Sequence, residues 1–332
     1  MLPSFRRRRG PRPFRLRAIP LPIKKDPARK TPTMKRWQLA LSALGLLLLV
    51  GAGALYATLR HLEVEQITDD AYMIRGLGGN VGVLRTDEGT VIVDTMTFPL
   101  QGRRIRERAE ALTGQPVVLL INTHYHLDHT HGNPGFAPGV RVVATERTRT
   151  HLEELDGGFW SGDASAFLPN ETFQGSREIP LGGKTIRVVH PGPGHTDGDL
   201  VALFVEDQTI HLGDLLFAGH YPNIDLKAGG TVRGWSATLD TVLALPFEHV
   251  IPGHGDLTDR DGVTRFQAFM GELAQVGAQA AATGASLKET LERTQLTTDA
   301  GFEELRVIVP IGLDRDFVIS RAWAEATSDG AR

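Results

Sequence analysis

The sequence predicts an α/β (α+β) fold in which two sheets pack together with helices outside. Three observations carry that prediction. From about Glu63 onward, short apolar runs alternate with turn signals. Strand runs are followed by helical patterns, and this order occurs twice. The 332 residues are 41% hydrophobic and 23% charged, an ordinary globular balance with enough material for one large domain or two small ones.

The elements follow in order. Residues 71–75, 81–85 and 90–94 read as successive strands, with Gly78-Gly79 and Asp87-Glu88-Gly89 as turns. Residues 102–113 read as a helix, because Ile105, Ala109 and Leu112 share one face. Residues 116–122 form a buried strand and 140–144 another, with a helix over 146–155. Residues 156–178 mix Gly, Ser, Asn and aromatics and read as irregular. In the second half, residues 186–190, 200–205, 209–212 and 249–251 read as strands, and 236–244 and 263–283 as helices. Residues 286–294 and 316–327 add two more helices.

The N-terminus reads separately. Residues 1–33 are rich in Arg and Pro, cannot bury a core and are expected to be a disordered leader, with a basic arm for anionic lipid or nucleic acid as the alternative. The segment 35–59 is a signal peptide or a transmembrane signal-anchor. Its apolar run at 37–59 exceeds the about 20 residues that cross a bilayer. Lys35 and Arg36 precede it, and Ala52-Gly53-Ala54 offers a cleavage site. Met34 would then be the true start. Either way the catalytic part, residues 63–330, is expected to be exported, periplasmic or anchored at the inner membrane. The chain has no cysteine, so disulfides, thiolate ligands and a lipoprotein anchor are excluded. A net charge of −3 gives no reason to expect nucleic acid.

Metal-type residues then gather at strand ends. The run His124-Tyr125-His126-Leu127-Asp128-His129 follows residues 117–121. His195, Asp214 and His254 each follow a later strand run, and glycines crowd them in Gly194-His195, Gly213-Asp214 and Gly253-His254-Gly255. Loops at strand ends are where sites are assembled, and glycine permits close backbone approach. Imidazoles and carboxylates without sulfur suit zinc. His124 and His126, two apart on extended chain, point the same way and supply one ion. Asp128 and His129 lie just past them and would face a neighbouring ion.

These motifs, with Gly132-Asn133 and Thr196-Asp197-Gly198-Asp199, resemble the metallo-β-lactamase superfamily, in order from about residue 64 to 275. The resemblance implies a four-layered αβ/βα sandwich. It implies that His124, His126 and His195 bind one metal, that Asp128, His129 and His254 bind a second, and that Asp214 bridges them, as in the glyoxalase II-like branch. The cofactors would be two Zn2+, with iron or manganese as alternatives. The implied function is a zinc-dependent hydrolase that uses a metal-bridging hydroxide to cleave an ester, lactone, lactam or thioester bond of a small-molecule substrate. Asp128 would be the catalytic residue, orienting the nucleophile and shuttling a proton. The alternatives are a β-lactamase of the histidine-rich zinc subclass, a mononuclear iron sulfur dioxygenase and a non-catalytic binding protein. The 40 positions between Asp214 and His254 leave no room for the large insertion of nucleic-acid-cutting branches.

Thr123, His131, Asp94 and Asp197 are candidates to orient ligand rings. His61, His151, His190, His211, His220 and His249 fit no ligand position. Residues 217–234 are a candidate substrate-facing loop, with His220, Tyr221 and Arg233 as contacts. Phe159, Trp160 and Phe167 are candidates for an apolar wall beside the pocket.

Overall fold

The computed structural model describes residues 36–305 and 312–328, so the expected leader at 1–33 lies outside the described residues. The chain divides into two units, Met1–Gly51 and Ala52–Arg332. On helix α1 (Arg36–Arg60), Leu41, Leu44 and Leu46 to Leu49 are exposed. Among the described residues no helix is long and apolar enough to cross a membrane.

The second unit is built on two sheets. The first holds seven strands in sequence order: β1 (Glu63–Gln66), β2 (Ala71–Arg75), β3 (Val81–Thr86), β4 (Gly89–Val93), β5 (Val117–Ile121), β6 (Arg141–Thr145) and β7 (Glu171–Phe173). The pairs from β1 to β4 are antiparallel, and those from β4 to β7 are parallel. Parallel neighbours need a crossover, and α2 (Pro99–Thr113) supplies the one between β4 and β5. Proline stands at its start, where a missing N–H costs nothing, and Gly114 in the left-handed region ends it. The short α3 (Leu127–Thr130) lies between β5 and β6, and α4 (Glu146–Glu154) between β6 and β7.

The second sheet runs in the order β13-β12-β11-β10-β9-β8, from β8 (Ser176–Leu181), β9 (Lys184–Val189), β10 (Val201–Phe204), β11 (Thr209–His211), β12 (His249–Ile251) and β13 (Thr258–Asp259). Helix α5 (Val232–Leu243) makes the parallel crossover from β11 to β12. Helices α6 (Arg260–Thr283), α7 (Leu287–Arg293) and α8 (Arg315–Ser328) follow.

Side-chain alternation makes these sheets a sandwich. Val91, Val93, Leu119 and Ile121 point to one side of the first sheet and pack with Ile186, Val188, Ala202 and Phe204 of the second. Ile92 and Leu120 point to the other side, against Ile105 and Ala109 of α2. Likewise Val201 and Leu203 turn outward onto Trp235, Phe266 and Phe269 of α5 and α6. Central strands buried on both faces explain why they read as continuous apolar runs. Each fully buried large side chain contributes about 1.5–3 kcal/mol. The four-layered αβ/βα sandwich is therefore the observed architecture.

Strand and helix positions agree with the sequence reading to within a few residues, with five exceptions. The sequence reading lacks the short helix α3 and strands β1, β7, β8 and β13, and residues 156–178 are not irregular throughout. They contain a 3-10 turn, β7 and the start of β8. These strands carry polar residues because they sit at or near sheet edges, where one side faces solvent.

Candidate metal centre

All seven residues singled out from the sequence converge at one edge of the sandwich, in the loops after β5, β9, β11 and β12. They form two groups. Ligand atoms of His124, His126, His195 and Asp214 lie within 4.8 Å of one another, as do those of Asp128, His129 and His254. His126 Nδ1 stands 3.2 Å from His124 Nε2 and 2.8 Å from His195 Nε2. In the other group, His254 Nε2 is 3.3 Å from Asp128 Oδ2.

Asp214 stands between the groups and divides its oxygens. Its Oδ1 is 3.0 Å from His129 Nε2 and 3.4 Å from His254 Nε2. Its Oδ2 is 3.5 Å from His195 Nε2 and 3.8 Å from His124 Nε2. The close approaches depend on glycine at two positions. A Cβ on Gly79 would fall 2.2 Å from the His129 ring, and one on Gly253 would fall 2.1 Å from Asp214 Oδ1.

Each ring of the first group has its outer nitrogen occupied. His195 Nδ1 donates to the Asn223 carbonyl at 2.8 Å, and His126 Nε2 to Asp225 Oδ2 at 3.0 Å. The Thr123 hydroxyl donates to Asp94 Oδ2, which leaves its lone pair for His124 Nδ1 at 3.1 Å. The inner nitrogens are thereby lone-pair donors aimed at one space. His129 is fixed in the same way, with Nδ1 donating to Asp94 Oδ2 at 2.7 Å. Asp94 itself adopts φ 63°, a left-handed conformation that Asp tolerates better than most residues. Asn80 braces the loop of His254 by donating to the carbonyls of Pro252 and Gly255, and Phe217 stacks on the His254 ring.

The buried donor set fits a cation. His129 Nε2 and Asp214 Oδ1 are buried and have no hydrogen-bond partner, although they face each other. Two such atoms are costly to leave unsatisfied, and a metal ion held by the second group would satisfy both.

The two groups differ in charge. Burial, helped by the charge of His129, holds His124 well below the ordinary imidazole value. Burial and His126 push His195 down to about 4. In the second group burial also opposes charge, but the carboxylates prevail. Asp214, Asp128 and Asp94 hold His129 well above its ordinary value, and Asp214 and Asp128 push His254 up to about 9. Burial would raise both Asp128 and Asp214, yet the facing histidines keep each below the usual carboxylate range.

Of the four candidates to orient ligand rings, Asp94 and Thr123 are in place. His131 instead binds Asp156 at 2.6 Å and stacks on Phe159. Asp197 binds His151 at 2.6 Å and Arg147. His211, which fits no ligand position in the sequence, is buried and contacts the Asn80 carbonyl and Gly213 N–H. Trp160 is packed with Leu152 and Leu168, and Phe159, Phe167 and Tyr125 lie against that cluster. In the 217–234 loop, Tyr221 donates to Asp299 and Arg233 lies near Glu325. The residues of this loop that hydrogen-bond to the ligand rings are Asn223 and Asp225, which the sequence reading missed. Its local signal was only an Asp capping a turn at Lys227 and Ala228.

The profile of the metallo-beta-lactamase superfamily matches residues 74–254, more than half of the chain. The chain is 29% identical over 182 residues to 2,4-dinitroanisole O-demethylase subunit alpha of Nocardioides sp. (strain JS1661), covering 52% of this chain and 53% of that one, so it spans about half of that relative's length. It is 25% identical over 202 residues to metallo-beta-lactamase type 2 of Bacillus cereus, covering 60% of this chain and 74% of that one. Among solved structures, the metallo-beta-lactamase from Pontibacter korlensis superposes with a TM-score of 0.55 at 22% identity, over 64% of this chain and 99% of that one. DIM-1 metallo-beta-lactamase superposes with a TM-score of 0.53 at 20% identity, over 64% of this chain and 97% of that one. With its fold, its paired donor groups and the extent of that profile, this chain belongs to the metallo-β-lactamase superfamily.

Proposed function

We propose that the chain is a two-metal, zinc-dependent hydrolase acting on an ester, lactone, lactam or thioester bond of a small molecule. The observation that carries this reading is the division of the Asp214 oxygens between two buried donor groups. His124, His126 and His195 would hold one ion, Asp128, His129 and His254 the other, and Asp214 both. Nitrogen and carboxylate donors without sulfur suit zinc, with iron or manganese the alternatives. When bound, the ions supply Lewis-acid polarisation of the carbonyl and a lowered pKa for the attacking water.

The chain's own residues orient that reaction. Asp128 has 21% of its side chain exposed, more than the carboxylate of Asp214 at 4% or the ring of His254 at 11%. It is therefore the ligand-set carboxylate that a reacting water can reach. His129 and His254 keep it ionised, so it accepts a hydrogen bond from the water and fixes its direction of attack. Asp94 and Thr123 keep the rings of His129 and His124 in the coordinating tautomer.

The names of the relatives cover different bonds, so the bond is a matter for assay. The resemblance to Bacillus cereus metallo-beta-lactamase type 2 supports a lactam as a second reading, and the demethylase relative adds an aryl methyl ether to the candidates. The apolar run at 37–59 behind Lys35 and Arg36 supports an exported catalytic domain. The test is a panel of a β-lactam, an acyl lactone, an aryl ester, a glutathione thioester and 2,4-dinitroanisole, run with zinc and with chelator. Chelator-sensitive cleavage of one class supports the proposal. No cleavage by protein carrying about two ions per chain would contradict it.

A further inference from the structure

We propose that Asp225 is a positioning residue that fixes His126 as the charge-assisted ligand of the first donor group. This rests on the metal-binding reading above and adds a role to a residue outside the seven.

Five hydrogen bonds meet at the carboxylate and N–H of Asp225. Its Oδ2 accepts from His126 Nε2 at 3.0 Å and from the Tyr125 hydroxyl at 2.5 Å. Its Oδ1 accepts the backbone N–H groups of Lys227 and Ala228, which locks the carboxylate in place. Its own N–H donates to the His195 carbonyl at 3.1 Å, while Asn223 two residues earlier accepts from the His195 ring. A segment of three residues thus holds two of the three histidines from behind. The segment is itself tied down. Gly230 N–H returns to the Asp225 carbonyl, and the Thr231 hydroxyl and Val232 N–H donate to Glu325 of α8.

The acceptors behind the three rings are not equivalent. His124 has a hydroxyl, His195 a carbonyl and His126 a carboxylate. A carboxylate holds the ring N–H more strongly than either neutral acceptor and makes the opposite nitrogen the more basic donor. Tyr125 shares the same oxygen and withdraws part of that charge. The Tyr125 ring also lies 4.5 Å from His126 and 5.3 Å from His151.

Asp225→Asn is the informative change. The amide oxygen can keep the turn at Lys227 and Ala228, so the fold has what it needs. Its NH2 then faces His126 Nε2, forces the proton onto Nδ1 and turns an N–H toward the metal. Zinc affinity of the full-length chain, measured against a chromophoric chelator, is expected to fall about 10- to 100-fold. The visible spectrum of the cobalt-substituted protein is expected to shift, and the circular dichroism of the metal-free variant to stay as in wild type. Tyr125→Phe is expected to leave zinc affinity equal or higher, because Asp225 then serves His126 alone. Unchanged affinity and spectrum in Asp225→Asn would overturn the proposal. So would an equal loss in Tyr125→Phe, which would make the cluster a structural tie. A wild-type chain that takes up no zinc at all would instead overturn the metal-binding reading itself.

Discussion

The two donor groups share one carboxylate and are otherwise built on different principles. The first is three imidazoles whose outer nitrogens are all occupied and whose buried members, His124 and His195, resist protonation. Its inner nitrogens converge on one space and are ready for a cation. The second surrounds His129 and His254 with Asp94, Asp128 and Asp214, and those carboxylates draw protons onto both rings. Without metal, its charge balance is kept by protons that occupy the coordinating nitrogens. The lesson is that one site can be preorganised on one side and proton-locked on the other. The first group should fill before the second, and only the second should release protons when it fills.

Changes that break the shared element should cost most. Asp214→Asn removes the carboxylate common to both groups, and turnover is expected to fall on the order of 10⁴-fold, equivalent to several kcal/mol of lost metal stabilisation. Metal content by elemental analysis should fall with it. An Asp214→Asn protein with normal metal content would break the comparison, because the groups would then be independent.

Next comes Asp128→Asn, expected to lower turnover on the order of 10³-fold with substrate KM little changed. The first group should keep its metal, since Asp128 does not belong to it. Near-normal turnover would remove Asp128 from the chemistry.

Asp94→Asn sharpens the difference between the groups. Asn tolerates the left-handed backbone found at position 94. The variant weakens the anchor of His129, so affinity for the second metal is expected to drop about 10- to 100-fold. The first metal should be affected less, through Thr123 alone. Equal losses in both steps of a zinc titration would contradict this.

The smallest effect is on stability. In the metal-free chain, the raised pKa of His254 means that its protonated form stabilises the folded state. That contribution is complete below the ordinary value of 6.5 and is lost as pH rises toward about 9. His195 acts in the opposite window. Its lowered pKa makes the unfolded chain bind the proton first, so stability falls as pH drops from 6.5 toward about 4. The Tm of the metal-free protein should therefore decline by a few degrees on both sides of neutrality. A monotonic profile measured by calorimetry would contradict the charge assignment.

How much of this was legible in the sequence depends on distance along the chain. The run at 124–129 announces itself, because four metal-type residues in six positions follow an apolar strand. His195, Asp214 and His254 were legible from their strand-end positions and adjoining glycines, and Gly253 proves to be packed against Asp214. The central strands were legible because burial on both faces makes them uniformly apolar. The edge strands β1 and β13 were not, since EVEQ and TD look like any polar loop and are defined by partners elsewhere. Asp225 was hidden for the same reason. Nothing around it indicates that its carboxylate reaches a ring 99 positions away. His131 and Asp197 had the right residue types and the right neighbourhood, but Asp156 and His151 had prior claim on them.

The difference between the two groups is read out by zinc titration of the metal-free chain at pH 7, with uptake and proton release followed together in buffers of different ionisation enthalpy. About two equivalents are expected to bind, with little proton release in the first step and about two protons in the second, from His129 and His254. A single equivalent, or equal proton release in both steps, would contradict that difference.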